Sequence, residues 1–94
     1  DLNSLQVVER VNVEPQPTAL AWDEARNRLY VASSNRDVVS VVDTSANRVL
    51  RTIPIQPFRE KPYGMGLTAL ALSSDGSRLY VACGGINAIA VVNT

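Results

Sequence analysis

The chain repeats itself at a spacing of 50 residues, and this limits the folds open to it more than any other feature. A shift of 50 positions aligns residues 18–44 with residues 68–94 without a gap. The segment Arg28–Ala32 recurs unchanged as Arg78–Ala82, and a fainter echo at a spacing of 42 pairs residues 7–11 with residues 49–53. Repeats of this length are typical of stacked structural units, so we expect two similar units and the tail of a third.

Each unit divides into short runs rich in valine, isoleucine, leucine and tyrosine, separated by turn residues such as Asp75 and Gly76. No helical period of 3.6 residues persists, so the runs predict strands joined as a meander. The predicted strands are Thr18–Trp22, Arg28–Ser33, Val38–Asp43, Arg48–Ile53, Thr68–Leu72, Arg78–Cys83 and Ala88–Asn93, with a further outer strand at Gln6–Val11.

The polarity of these strands predicts how they pack. The third strand of each unit is almost continuously apolar, at residues 38–42 and 88–92, which predicts sheets that are covered on both faces. The fourth strand carries Arg48, Arg51 and Thr52 among apolar residues, so we expect it at the outer edge. The predicted fold class is all-β, a β-propeller built from blades that are four-stranded antiparallel sheets.

The strand count predicts about two blades' worth of chain. Residues 1–13 form the outer strand of a preceding blade, 14–55 a full blade, 56–66 a linker and 67–94 the three inner strands of the next blade. Propellers close with about four to eight blades, so a partner must complete the ring. Either other copies do so, Gln6–Val11 of one copy completing the last sheet of the next in a homo-oligomer, or the chain belongs to a longer parent.

Two segments carry a resemblance to a known family. Leu29–Ala32 and Leu79–Ala82, each followed by a strand ending in Val-Val-Asp-Thr or Val-Val-Asn-Thr, resemble the YVTN family of bacterial and archaeal β-propeller repeats. Further residues stand where the family pattern has them: Pro17, Ala19, Asn35, Asp43, Ile53, Pro54, Asp75, Gly76 and Asn87. The resemblance implies an exported protein, periplasmic or extracellular, and we expect any export signal to be already removed or to lie outside this chain.

The sequence departs from the family pattern in three places. Asp23–Asn27 replaces the usual Asp-Gly turn, and Asn93 replaces an aspartate. The linker Gln56–Gly66 is longer than usual, and in this it is similar to YVTN propellers that accompany a phosphoesterase domain.

The amino-acid composition excludes several kinds of functional site. The chain has no histidine and one cysteine, so it cannot assemble a Ser-His-Asp triad, a histidine-ligated metal or an internal disulfide. Nine basic residues balance nine acidic ones without clustering, which disfavours nucleic acid as a partner. No apolar run approaches the ~20 residues needed to span a bilayer. We therefore predict no catalytic, cofactor or metal site within these residues.

Individual motifs have ordinary structural explanations. Gly64-x-Gly66-x-x-Ala69 matches a lax dinucleotide fingerprint but leads into a strand rather than a helix, which favours a linker. The aspartates Asp37, Asp43 and Asp75 lack the spacing of a calcium loop, so turn and strand-end roles are expected.

The remaining candidates are side chains with polar or reactive groups. We expect Asp23 and Glu24 in a solvated turn and Cys83 as a buried, unreactive thiol. Trp22 is predicted in the core, and Tyr30 and Tyr80 in equivalent packed positions.

The linker interrupts the repeat and mixes aromatic with charged residues, which makes it the predicted binding loop, with the mouth of the central channel as an alternative. Its candidate residues are Phe58, Arg59, Lys61, Tyr63 and Met65. The predicted function is a non-catalytic propeller scaffold that binds a protein or a small molecule. The alternative is the propeller part of an enzyme, hydrolytic or redox, whose catalytic residues lie outside this chain.

Overall fold

The computed structural model describes residues 6–34, 36–55, 66–85 and 88–94, and these form seven strands in two antiparallel sheets. The first sheet has the order β1-β2-β3-β4 and the second the order β5-β6-β7. The strands are β1 (Pro17–Asp23), β2 (Arg28–Ser33), β3 (Val38–Asp43), β4 (Arg48–Pro54), β5 (Leu67–Leu72), β6 (Arg78–Cys83) and β7 (Ala88–Asn93). The prediction of an all-β fold made of propeller blades is confirmed, with strand bounds within one residue of those expected.

The two sheets pack face to face and enclose one hydrophobic core. Side chains of one face of β1, β2 and β3 meet side chains of β5 and β6 across the interface. We call the contributing surface of the first sheet the core face: Ala19, Ala21, Tyr30, Ala32, Val39 and Val41. The second sheet contributes Leu67, Leu79, Val81 and Cys83, all buried. Burial of Cys83 agrees with the prediction.

The chain that precedes β1 covers part of the outer face of the first sheet, over β3 and β4. The Ser33 hydroxyl donates a hydrogen bond to the Glu14 carbonyl at 3.0 Å, and the Ser34 amide donates one to the Gln16 carbonyl at 3.2 Å. On this outer face Ser40 and Val42 of β3 are buried, whereas Leu20 and Trp22 of β1 are exposed. The first sheet is therefore covered on both faces at β3 but not at β1.

The second sheet has one free face. Along β7 the residues alternate between half-buried and exposed, so among the described residues this sheet is covered on one face, and its coverage on the other face stays a prediction. The free face consists of Ala69, Ala71, Tyr80, Ala82, Ile89 and Val91, the residues 50 positions after those of the core face. Tyr80 is consequently 38% exposed whereas Tyr30 is 1% exposed.

Trp22 corrects a second prediction. It is 51% exposed rather than part of the core. The reason is its strand position, because in β1 alternate side chains point to opposite faces and Ala21 takes the core side. Its counterpart Leu72 lies on the side of β5 that faces the first sheet, so the same repeat position is packed in one sheet and open in the other.

The segment Gln6–Val11 contains no strand, which differs from the prediction. Its residues are exposed up to Arg10, and Val7 and Val8 are among the most exposed large apolar side chains of the described chain. A strand requires a neighbouring strand to pair with its backbone N–H and C=O groups, and the sequence predicts that this segment belongs to a preceding blade rather than to the first sheet.

In the first sheet β4 forms the outer edge as predicted, with Arg48, Arg51 and Thr52 exposed.

Candidate binding site

The predicted binding loop cannot be placed. Phe58, Arg59, Lys61, Tyr63 and Met65 lie outside the described residues, as does the predicted linker 56–66 apart from Gly66.

A cleft of about 640 Å³ lies where the β1–β2 turn of the first sheet meets the β5–β6 turn of the second. Its lining mixes two apolar side chains with turn residues. The lining residues are Trp22, Asp23, Glu24, Ala25, Leu72, Ser73, Ser74, Asp75 and Gly76. The cleft therefore uses both repeats, each supplying the end of its first strand and the turn that follows.

Arg26 joins the two turns. Its Nη1 atom donates to the Gly76 carbonyl at 2.6 Å and lies 3.3 Å from Asp23 Oδ2. The Thr94 hydroxyl donates to the same Gly76 carbonyl. Arg26 thus ties the first repeat to the second through one backbone oxygen, and it occupies the position 50 residues before Gly76.

The prediction of a solvated turn is wrong for Asp23, whose side chain is buried. It is 8% exposed, and its Oδ1 atom accepts a hydrogen bond from the Arg26 amide at 3.3 Å. The carboxylate is buried because it both closes the turn and pairs with the Arg26 guanidinium. The signal for this pairing was the Asp-x-x-Arg spacing together with the alignment of Arg26 on Gly76.

Asp75 organises the turn of the second repeat. It accepts hydrogen bonds from the Ser77 amide at 3.0 Å, the Ser77 hydroxyl at 2.7 Å and the Ser73 hydroxyl at 2.8 Å. The Ser77 amide is the strongest of several hydrogen bonds that hold the pKa of the Asp75 carboxyl well below its usual range. Asp75 therefore has a turn role, as predicted, and keeps its charge beside the cleft at neutral pH.

Each of the two turns contains a residue with a left-handed backbone, but the residue type differs. Gly76 has a φ of +73°, and in the first repeat Asn27 takes a left-handed conformation with a φ of +54°. Asparagine is one of the few residues with a side chain that enter this region readily. This explains how Asp23–Asn27 forms a hairpin turn without the Asp-Gly pair.

The lining of the cleft combines apolar surface with hydrogen-bond acceptors. Trp22 and Leu72 offer apolar surface, while the carboxylates of Asp23 and Asp75 offer negative charge and hydrogen-bond acceptors. Both carboxylates are held by hydrogen bonds within the protein. A ligand that combines an apolar part with hydrogen-bond donors matches this lining.

We expect removal of the Arg26 side chain to separate the two turns. Arg26→Ala loses the bond to the Gly76 carbonyl and the contact with Asp23, and because the arginine is partly exposed the expected loss of unfolding free energy is about 0.5–1.5 kcal/mol. Urea denaturation followed by circular dichroism measures it. Arg51→Ala, which removes an exposed arginine from β4, serves as the control, and equal losses in the two variants would contradict this role.

A buried carboxylate lies at the opposite end of the strands. Asp37 is 1% exposed, and neither of its carboxylate oxygens accepts a hydrogen bond from the described residues. Its backbone is left-handed, with a φ of +53°, and its carbonyl accepts the Ile55 amide at 2.8 Å. Burial raises the pKa of the Cys83 thiol, and the charge of Asp37 adds to this effect. Both effects favour the protonated form of the thiol.

A second, smaller cavity of about 290 Å³ lies on the outer face of the first sheet. Ser40 of β3 and Thr52 of β4 form its floor, and the segment before β1 covers it with Asn12, Val13 and Glu14. The Ser40 hydroxyl is buried there without a hydrogen-bond partner among the described residues. This cavity marks incomplete packing between the leading segment and the sheet.

Residues 6–34, 36–55, 66–85 and 88–94 bring together no group of three or more histidine, cysteine, aspartate or glutamate side chains able to hold a metal ion. Over the same ranges we find no helix with the length and apolarity needed to cross a membrane.

Comparison with known proteins finds a similar solved structure. No protein-family model matches the chain, and no curated protein sequence matches it. Among solved structures, hydrazine synthase from Kuenenia stuttgartiensis is similar, with 33% sequence identity and a TM-score of 0.83. The match covers 100% of this chain and 25% of that one, so the chain spans about a quarter of the length of the solved structure that it resembles.

Proposed function

We propose that this chain is a two-blade segment of a YVTN-type β-propeller in an exported protein, and that it acts as a non-catalytic scaffold presenting a surface for a protein or small-molecule ligand. The observation that carries the proposal is that two surfaces of the chain have nearly the same amino-acid residues. The free face of the second sheet has the same residues, or close equivalents, as the core face of the first.

The exposed fractions show what the free face lacks. Val39 and Val41 are fully buried, whereas their counterparts Ile89 and Val91 are 67% and 57% exposed. The difference arises because the core face is covered by the second sheet and the free face has no such cover among the described residues. Contiguous exposed apolar surface of this kind marks an interface.

The occupant of the free face is a further blade of the same type. The internal interface shows which surface fits, because the core face packs on the side of the second sheet that carries Leu70 and Leu72. The equivalent side of the first sheet carries Leu20 and Trp22, both exposed. Continuing the same interface places that side on the free face, in a head-to-tail arrangement that can close into a ring.

Solution mass tests this arrangement. For the 94-residue chain, light scattering after size exclusion is expected to give a discrete multiple, about two to four copies, since propellers close with four to eight blades. Val91→Arg places a charge in the free face and is expected to give a folded monomer, because the side chain is exposed within one copy. Leu50→Arg alters an exposed apolar residue of β4 outside that face and is expected to keep the assembly.

Two results would contradict the scaffold proposal. One is a folded wild-type chain that stays monomeric at every concentration tested. The other is an assembly that Val91→Arg leaves intact.

A second candidate function is the propeller part of an enzyme. The similarity to hydrazine synthase, a quarter of whose chain is matched, favours it. In this case the catalytic residues lie elsewhere in a longer parent, and a hydrolytic or redox domain performs the reaction. The reading frame that encodes the chain distinguishes the two: an adjoining domain with histidines and metal-binding carboxylates supports the enzyme, and its absence on both sides supports the scaffold.

A further inference from the structure

We propose that the cleft between the β1–β2 turn and the β5–β6 turn recognises an arginine side chain presented by a partner protein. This inference rests on the proposed function, because it names the chemistry of a ligand for the surface that the scaffold presents. Both walls of the cleft come from two adjoining repeats of one chain, so the site does not depend on assembly with further blades.

The size and the walls of the cleft suit one long side chain together with the peptide groups on either side of it. Its volume of about 640 Å³ lies within the range of about 300–1,000 Å³ that is typical of ligand sites. Trp22 and Leu72 contribute apolar surface to the lining. The methylene stem of an arginine covers apolar surface of this kind while its charged head group stays in a polar environment.

The lining has an excess of negative charge. Asp23, Glu24 and Asp75 line the cleft, and among the described residues the lining includes no lysine or arginine. Arg26 pairs with Asp23, which leaves the charges of the other two carboxylates. The hydrogen bonds that hold the pKa of the Asp75 carboxyl below its usual range keep that group charged at neutral pH. The cleft therefore attracts a cation and repels an anion.

Hydrogen-bond acceptors for a guanidinium are available on this lining. Asp75 receives all three of its hydrogen bonds on Oδ1, which leaves Oδ2 without a partner among the described residues. The Glu24 carboxylate and the Ser74 hydroxyl are exposed on the same lining. Since a guanidinium carries five N–H donors in a planar fork, it can bond a carboxylate and a second acceptor at the same time.

One guanidinium of the chain is already held in this way beside the cleft. Arg26 Nη1 donates to the Gly76 carbonyl at 2.6 Å and lies 3.3 Å from Asp23 Oδ2. Gly76 permits this arrangement, because a Cβ atom at that position would lie only 2.7 Å from Asp23 Oδ2. The turns of this cleft thus provide a carbonyl and a carboxylate together, an arrangement that favours the forked donors of arginine over the compact ammonium group of lysine.

A titration with N-acetyl-arginine-N-methylamide tests the inference, with Trp22 as the reporter. The chain has one tryptophan and it lines the cleft, so its fluorescence responds to binding there. The control ligand is the corresponding citrulline compound, in which a neutral urea replaces the guanidinium. We expect the arginine compound to bind about tenfold more tightly, the scale by which a charged hydrogen-bond partner exceeds a neutral one. Its affinity should fall with added salt, because the Debye length shortens from about 10 Å at 0.1 M to about 3 Å at 1 M.

A matched pair of variants locates the site. Glu24→Gln removes one charge from the lining and is expected to weaken binding about two- to fivefold, the range for an exposed ion pair. Glu9→Gln makes the same change at an exposed position outside the cleft and is expected to leave the affinity unchanged. Circular dichroism confirms that both variants are folded.

Three results would overturn the inference. They are equal affinity for the arginine and citrulline compounds, equal effects of Glu24→Gln and Glu9→Gln, and binding of butylguanidinium as tight as that of the arginine compound. In the last case the peptide groups contribute nothing, and the ligand is a small molecule rather than a partner protein. Failure of the scaffold proposal looks different, since a monomeric wild-type chain that still binds the arginine compound keeps the cleft and rejects the assembly of blades.

Discussion

Replacing Tyr30 with alanine is expected to remove a large part of the stability of the chain. Tyr30 is the largest of the fully buried side chains, and it packs in the centre of the interface between the two sheets. Loss of a buried aromatic ring costs about 3–5 kcal/mol, through lost burial and the cavity left behind. A small domain has only about 5–15 kcal/mol in total, so the unfolding midpoint in urea should fall sharply or the variant should not fold.

Tyr80→Ala is the matched control, since the two tyrosines occupy the same repeat position. At a dilution where single chains predominate, the change is expected to have a small effect, because Tyr80 is partly exposed on the free face. At concentrations where copies associate, the same change should weaken assembly. Similar losses for both variants in dilute solution would show that the two faces are covered alike in one chain, against the packing described above.

Replacing Asp37 with asparagine is expected to stabilise the chain by about 1–3 kcal/mol, the scale of one buried polar group without a partner. The carboxylate is almost fully buried and unpaired among the described residues, whereas an amide carries no charge and brings two donors. Asparagine also tolerates the left-handed backbone at this position, and the second repeat has Asn87 there. Thermal and urea unfolding both measure the gain.

Asp23→Asn provides the contrast. Asp23 is also buried, but its carboxylate pairs with Arg26, so loss of its charge is expected to lower stability. If Asp37→Asn lowered stability as well, the Asp37 carboxylate would have to be held by a partner, and the account of an unpaired charge would be wrong.

The strands could be predicted from the sequence because each is a short apolar run bounded by turn residues, and because the repeat gives two observations of each. The bounds of β2, β3, β6 and β7 agree with the prediction to the residue. The outer position of β4 followed from its arginines, which belong in solvent.

Burial could not be predicted by repeat position alone. Tyr30 and Tyr80 have the same place in the repeat, as do Trp22 and Leu72, but their surroundings differ. Tyr30 and Leu72 face the interface between the two sheets, whereas Tyr80 and Trp22 face away from it. The buried state of Asp37 and the bond from Arg26 to Gly76 depend on tertiary contacts that a single repeat does not contain. The linker, where a binding loop was predicted, stays a prediction.

The meander order of the strands also bears on how the fold opens. Every strand pair joins consecutive strands, so each sheet is assembled from hairpins with short loops, a topology that favours rapid local formation. Among the described residues, the first sheet contacts the second through β1 and β2 against β5, as neighbours do in a linear array of repeats. We expect opening of this 94-residue chain to start at β7, whose outer edge and one face have no cover among the described residues, and to reach β2 and β3 last. The order of amide exchange is in this way set by the position of each strand in the array rather than by its own sequence, which is nearly the same in both repeats.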